Sequence, residues 1–217
     1  MAEKIYKLGN GERVPSVTGV CAFVDGDPGG LLHWANKGGL AGKTLPEMRG
    51  AADVGTWAHA AIEYDFLDKE DMDIPAEANE EQRAQVANSL AAWRRWREQN
   101  APERIAIEKA LVSEAMKVGG TLDHVLRVGG RVGLLDVKTG AIYGKQIVQI
   151  AAYGMLWEEN EGEKIEEYHL LGVGKDDGAL HWHTWVADSP TIAAARRAFV
   201  LAREVYDIAA VLKKAVG

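Results

Sequence analysis

The feature that most limits what this chain can fold into is a pair of short β-type runs, Thr121–Val128 and Arg131–Thr139, joined by Gly129-Gly130. A Gly-Gly pair between such runs is a strong hairpin signal, because tight hairpin turns need residues that tolerate positive φ. Side chains alternate along a strand, so Asp136 and Lys138 project together while Leu135 and Val137 project the other way. Asp123 sits near the middle of the preceding run and can face the same side. Three charged groups aimed at one place on an otherwise apolar hairpin are costly to bury unless something pairs with them. A divalent cation would supply that pairing.

The 217 residues suffice for one large domain with a real hydrophobic centre. We expect a single unit over 1–217, in which an N-terminal hairpin and helices (1–103) form a cleft wall beside a sheet-and-helix core (104–217). Cys21 is the sole cysteine, which excludes an internal disulfide, a four-cysteine zinc site and an iron–sulfur cluster held by the chain's own thiolates. No apolar run approaches ~18 residues, so no membrane span is expected. The start, Met-Ala-Glu-Lys-Ile-Tyr-Lys, lacks the apolar stretch of a signal peptide, and a cytoplasmic location follows as the expectation. The net charge of −7 argues against a protein that coats nucleic acid. It does not argue against a site in which carboxylates hold a metal.

Taken in order, the chain opens with a hairpin, Lys4–Leu8 and Arg13–Val17, around Gly9-Asn-Gly11. Leu31–Ala35 reads as a short helix in which His33 and Trp34 are a surface histidine and a packed aromatic. A long helix follows from Pro46 to Asp68, interrupted at Gly55, with Val54, Ala58, Ala61 and Ile62 as its apolar stripe. His59 and Glu63 are four apart and share a face. Asp68–Glu81 is acidic and reads as a mobile surface loop away from any polyanion. The next helix, from about Ala76 to Asn100, ends in Arg94-Arg-Trp-Arg97. Cations suit a helix C-terminus; the other reading makes Arg94, Arg95 and Arg97 a phosphate-contacting patch with Trp96 free to stack on a base.

Arg104–Val118 reads as one long strand or two, with Glu114 at the edge of the site. After Gly140, Lys145–Glu159 has helical spacing and places Gln149 and Tyr153 on one face. Ile165–Val173 and Ala179–Val186 form a second hairpin, on which His181 and His183 read as surface or packing residues. The last helix starts at Asp188-Ser189-Pro190 and carries Ile192, Ala195, Phe199, Ala202, Val205, Ile208 and Leu212 at helical steps, a core-packing row.

Hydrolysing a phosphodiester needs a nucleophilic water, charge stabilisation at the phosphoryl oxygens and help for the leaving oxygen. Asp123 and Asp136 offer the hard oxygens that Mg²⁺ or Mn²⁺ prefers, and an imidazole such as His59 shifts preference towards Mn²⁺. Lys138 can orient the water and neutralise developing charge.

The ordered series of helix His, strand Asp, strand Asp-x-Lys and helix Gln-xxx-Tyr resembles the PD-(D/E)XK nuclease superfamily. It is most similar to the RecB-like branch, which includes phage recombination exonucleases and CRISPR-adaptation nucleases. The likeness covers Gly55–Glu63 and Glu114–Tyr153; Val14-Pro-Ser-Val-Thr18 and Leu32-His-Trp34 also resemble the opening of phage-type members. It implies an α/β, restriction-endonuclease-like core with a mixed central sheet flanked by helices and an N-terminal helical elaboration. It also implies that His59, Asp123 (in Gly120-Thr-Leu-Asp123), Asp136 and the Val137 carbonyl bind metal and that Lys138 is the catalytic lysine. Gln149 and Tyr153 would help hold the DNA strand, with Glu63 and Glu114 as looser metal-site candidates. The implied cofactor is Mg²⁺ or Mn²⁺ and the implied partner is DNA. The cysteines that hold a cluster in many relatives are absent, so no iron–sulfur cluster is expected. No helicase motif is present either, which makes this a free-standing nuclease or one that borrows a partner such as a helicase or a single-strand annealing protein. A non-catalytic DNA-binding subunit is the alternative, but each of the motif positions that it would be expected to lose is filled. No interface signature fixes an oligomeric state.

Overall fold

The computed structural model describes residues 4–24 and 45–216, with the side chains of 45–52 and 216 excepted. His33 and Trp34 lie outside the described residues. The elements are β1 (Tyr6–Lys7), β2 (Arg13–Val14), α1 (Val17–Cys21), α2 (Leu45–Phe66), α3 (Glu80–Asn100), β3 (Glu103–Ser113), β4 (Val118–Val128), β5 (Arg131–Lys138), α4 (Gly144–Glu161), β6 (Glu167–Val173), β7 (Leu180–Val186) and α5 (Pro190–Val216). Strands β3 to β7 form one five-stranded sheet in chain order. Its pairs are antiparallel except β5–β6, which run parallel and are therefore joined by the crossover helix α4. This is the mixed α/β sheet expected from the sequence.

Both faces of the sheet are covered. On one, Leu122, Leu134, Tyr168 and Leu170 pack with side chains of α1, α4 and α5. On the other, Leu126, Leu135, Val137 and Leu171 meet Ile62 and Phe66 of α2 and Trp93 and Trp96 of α3. Burial on both faces explains why β4 and β5 read as nearly continuous apolar runs. Trp93 and Trp96 are fully buried, and truncating either to alanine would cost about 3–5 kcal/mol.

Several boundaries differ from the sequence expectation for local reasons. Val17 opens α1 and does not end a strand, because the Ser16 hydroxyl accepts the Gly19 N–H at 3.0 Å and caps the helix. Helix α3 starts at Glu80, later than Ala76, through a capping box: Asn79 takes the Gln82 N–H at 2.8 Å and Gln82 takes the Asn79 N–H at 3.0 Å. The Arg104–Val118 run breaks after Ser113, whose hydroxyl accepts the Met116 N–H, and Lys117 turns the chain with a φ of 49°. Gly55 does not interrupt α2. The acidic stretch before α3 has no regular structure, but it is tied down: Arg83 donates to the carbonyls of Ala78, Ile74 and Pro75. In α5 the expected core row holds only for its first half; Ile192, Ala195, Phe199 and Ala202 are buried, while Val205, Ile208 and Leu212 are exposed. His181 and His183 are exposed, as expected.

One buried histidine gives the fold a pH signature. His169 on β6 is 1% exposed, and burial pushes its pKa down to about 4. Its Nδ1 meets the Thr184 hydroxyl at 3.0 Å; the nearest charge, Glu167 at 3.7 Å, is itself engaged by Arg131 at 2.9 Å. The histidine is neutral when folded and titrates near 6.5 when unfolded, so its contribution is complete above that pH and is lost as pH falls towards 4. Between pH 8 and pH 5 the wild type should lose about 2 kcal/mol of unfolding free energy that His169→Gln does not lose. Urea unfolding at the two pH values measures this; parallel losses in both proteins would clear His169.

Candidate active site

The site begins where the sheet opens. The β4–β5 ladder runs from Val128↔Arg131 to His124↔Leu135 and then ends. One residue further on, the Asp123 carboxylate takes over and accepts the Val137 N–H at 3.2 Å. The strands part at this point while β5 stays paired to β6 through Lys138, and the gap leaves room for side chains.

Asp136 and Lys138 lie on one side of β5, as the alternation requires, and their charged groups are 2.6 Å apart. The Asp136 side chain is only 3% exposed, and the oxygen nearest the ammonium has no well-aligned hydrogen bond. Burial raises its pKa to about 6, with Lys138 opposing that shift and Asp123 adding to it. For Lys138, burial alone would lower the pKa, but Asp136 and then Asp123 outweigh it and hold the ammonium above its ordinary value. Lys138 therefore stays charged at neutral pH.

Helix α2 brings in His59, whose Nδ1 stands 3.7 Å from Asp123 Oδ2. The helix packs tightly here: a Cβ on Gly55 would sit 3.2 Å from the Thr139 hydroxyl, which would have to give by a few tenths of an ångström. His59, Asp123, Lys138, Thr139 and Tyr153 line a common open cleft of about 620 Å³, with Asp136 just beneath. Glu63, one turn beyond His59, is half-buried and does not line the cleft; burial and then Glu108 raise its pKa.

Tyr153 is placed by a second glycine. A Cβ on Gly120 would lie 2.6 Å from the Tyr153 ring, so β4 and α4 touch there only because Gly120 has none. The Gln149 amide donates to the Tyr153 hydroxyl and to the Thr18 hydroxyl, each at 3.1 Å. This ties the Val14–Thr18 segment to α4, and the Pro15 carbonyl accepting the Gly119 N–H at 3.0 Å ties it to β4.

The sequence reading missed Glu108, which also lines the cleft. It lies on β3 between the pairs Ile107↔His124 and Lys109↔Leu122, hence across from Asp123, with a left-handed φ of 47° and Lys4 at 3.2 Å. Only the β3–β4 register would have revealed it.

The donors present suit a hard divalent cation: carboxylate oxygens, one imidazole and the main chain of Val137, with a buried Asp136 oxygen lacking a good hydrogen bond. Among the described residues no three His, Cys, Asp or Glu side chains converge as a ready-made cage. Asp123 leans to His59 and the Val137 N–H, and Asp136 leans to Lys138. The PD-(D/E)XK nuclease superfamily model matches residues 6–197, which takes in every one of these groups but Lys4. The chain belongs to the PD-(D/E)XK nuclease superfamily. Nucleases of this superfamily generally use divalent metal ions. Among solved structures, LHK-Exo in complex with dAMP is 14% identical with a TM-score of 0.41, covering 94% of this nuclease and 93% of that chain. A second structure of LHK-Exo, the alkaline exonuclease of Laribacter hongkongensis, is 15% identical with a TM-score of 0.37, covering 80% and 87%. A protein from Eubacterium rectale assigned provisionally as an exonuclease is 14% identical with a TM-score of 0.48, covering 76% and 68%. Among curated proteins none matches significantly.

Other expected site residues are used elsewhere in the nuclease. Glu114 sits in the β3–β4 turn, where it accepts the Gly9 N–H at 2.6 Å and pins the β1–β2 hairpin; it does not line the cleft. Arg94 pairs with Asp65 at 2.6 Å and Asp71 at 2.5 Å; Arg97 pairs with Asp65 and Asp68; Arg95 donates to the Gly178 carbonyl. Burial alone would raise the Asp65 pKa, but hydrogen bonds from Arg94, Trp93 and Arg97 hold it below its ordinary value. Trp96 is fully buried, so it cannot stack on a base. The basic helix end is a structural clamp.

Gly120→Ala should force Tyr153 and β4 apart, costing about 1–3 kcal/mol in stability and most of any cleavage activity. Glu114→Gln should leave cleavage within about twofold while loosening the N-terminal hairpin by about 1 kcal/mol. Denaturant titration beside a DNA-degradation assay separates the two. Loss of cleavage in Glu114→Gln would return that residue to the site.

Proposed function

We propose that the chain is a metal-dependent DNA exonuclease of the RecB-like branch, working in phage or prophage recombination or repair. One observation carries the reading: Asp123, the buried Asp136–Lys138 pair and His59 meet at a single cleft in a chain of this superfamily. Asp123, Asp136, His59 and the Val137 carbonyl would hold Mg²⁺ or Mn²⁺. When bound, the cation supplies positive charge to the phosphoryl oxygens and makes water a better nucleophile.

The chain's own groups do the rest. Lys138 remains protonated beside Asp136, so it serves as a charged donor that orients the attacking water and offsets charge building on the phosphate. It is unsuited to be the base. The Asp123 contact with the Val137 N–H spans the gap between β4 and β5, and Tyr153, held by Gln149, lines the cleft on the α4 side while Gln149 itself does not line it. The DNA strand would lie along that border. A helicase or a single-strand annealing protein would be the natural partner for such a nuclease.

End-labelled linear, circular and single-stranded DNA, each incubated with Mn²⁺, Mg²⁺ or a chelator, tests the reading. Linear DNA should be degraded only with metal, and covalently closed circles should survive. Asp136→Asn and Lys138→Ala should each lower cleavage at least about 100-fold with an unchanged far-UV circular dichroism spectrum. His59→Ala should weaken the metal titration. Cutting of circles at the linear rate would make the protein an endonuclease. Full activity in either core variant would overturn the assigned roles.

A further inference from the structure

Among the described residues the exposed aromatic side chains are Phe23, Tyr64, Tyr143 and Trp182. Three of them have partners. Phe23 meets Tyr206 with 5.6 Å between ring centroids, Tyr64 takes the Lys69 ammonium over its face at 5.0 Å, and Trp182 crosses Trp96 at 5.7 Å. Tyr143 is the most exposed of the set, at 60%, and among the described residues its ring has no aromatic or cationic neighbour. A single exposed ring is ordinary on a protein surface; what sets this one apart is its position. Tyr143 ends the short connection from β5 to α4, five residues past Lys138. Its Cα therefore lies at most about 18 Å from that of the lysine, roughly five base steps along one strand. Thr139, Gly140 and Ala141 before it and Gln146 after it all line the active-site cleft. Two anchors fix the backbone between them. Ile142 packs against the core, and Tyr143 bonds reciprocally with Gln146: its N–H donates to the Gln146 side-chain oxygen, and its carbonyl accepts the Gln146 N–H at 3.0 Å. A wall residue of the cleft thus holds an unpartnered aromatic at the rim.

Resting on the nuclease reading above, we propose that Tyr143 is the stacking platform for an unpaired base of the DNA strand held in the cleft. Every base presents a flat π-face, so a stack on an aromatic ring grips a strand without reading its sequence. It also needs no positive charge, which suits a chain of net charge −7 whose Arg94 and Arg97 are held by aspartates. The aromatic that the basic helix end would offer, Trp96, is buried and cannot serve. A base inside a duplex already has a neighbour on each face, so an outside ring gains only on a base that is unpaired. Tyr143 therefore makes single-stranded or frayed DNA the better substrate.

Single-stranded oligonucleotides with one abasic site at successive positions provide the test, bound to the Lys138→Ala protein in Mg²⁺ so that they stay intact. An abasic site at one position should weaken binding about 5- to 100-fold, the loss expected for one base–aromatic stack. Adding Tyr143→Ala should weaken binding of the unmodified strand by the same factor, and the abasic site should then cost nothing further. Tyr143→Phe should bind like the parent, because the ring face and not the hydroxyl makes the contact. The slope of log affinity against log salt should be the same in all three proteins, since no phosphate contact is removed. In the otherwise wild-type chain Tyr143→Ala should raise KM for single-stranded DNA by a similar factor. The proposal is overturned if no abasic position weakens binding, if the losses from Tyr143→Ala and from the abasic site simply add, or if Tyr143→Phe binds as poorly as Tyr143→Ala. A wild type that neither binds nor degrades DNA removes the nuclease reading and this proposal together. Normal cleavage with an unchanged KM in Tyr143→Ala removes the stacking role alone.

Discussion

The structure turns on an acid–base pair placed where the sheet comes apart. Asp136 and Lys138 are 2.6 Å from one another on a strand whose neighbouring positions, Leu135 and Val137, are fully buried. Taking two charges out of water is expensive, and the attraction between them repays that cost only with good geometry and further hydrogen bonds. Here the geometry is incomplete, because an Asp136 oxygen lacks a well-aligned donor. A buried pair of this kind is weak evidence for stability. Its incompleteness leaves the carboxylate, just beneath the cleft, able to take another positive partner.

Keeping that pair at the bottom of a cleft requires the surrounding elements to approach closely without sealing it. Asp123 ends the β4–β5 ladder by substituting a side-chain acceptor for a main-chain one. A missing side chain then sets one wall, since Gly120 admits the Tyr153 ring against β4, while on the other side α2 packs closely on Thr139 at Gly55. The imidazole of His59 and the phenol of Tyr153 thus reach the same space from opposite layers of the fold. Burial raises the Tyr153 pKa, so its hydroxyl stays protonated and available as a donor.

What the sequence made legible was local and periodic. The Gly129-Gly130 hairpin, the shared face of Asp136 and Lys138, and the i, i+4 pairing of Gln149 with Tyr153 all follow from strand or helix geometry, and the structure keeps each of them. What it hid depended on partners distant in the chain. Glu108 enters the cleft only through the β3–β4 register. Glu114, nine residues before Asp123 and near it on paper, lies beyond the strand end and binds the N-terminal hairpin. The second half of α5 has the spacing of a core helix, yet Val205, Ile208 and Leu212 are exposed, and spacing alone cannot tell a buried row from an exposed one.

The same limit applies to charge. The acidic stretch after α2 and the basic end of α3 look like two independent surfaces in the sequence, one repelling a polyanion and the other attracting it. In the fold they pair: Asp68 and Asp71 of that stretch, with Asp65 at the end of α2, absorb Arg94 and Arg97. Arg196 is similarly held by Glu158 and the Tyr168 hydroxyl, and Arg203 by Asp207 and two main-chain carbonyls. Arginines in such clamps fix elements in place and contribute little to a distant phosphate. In a chain of net charge −7, a run of arginines in the sequence is therefore a poor guide to where positive charge stays available in the fold.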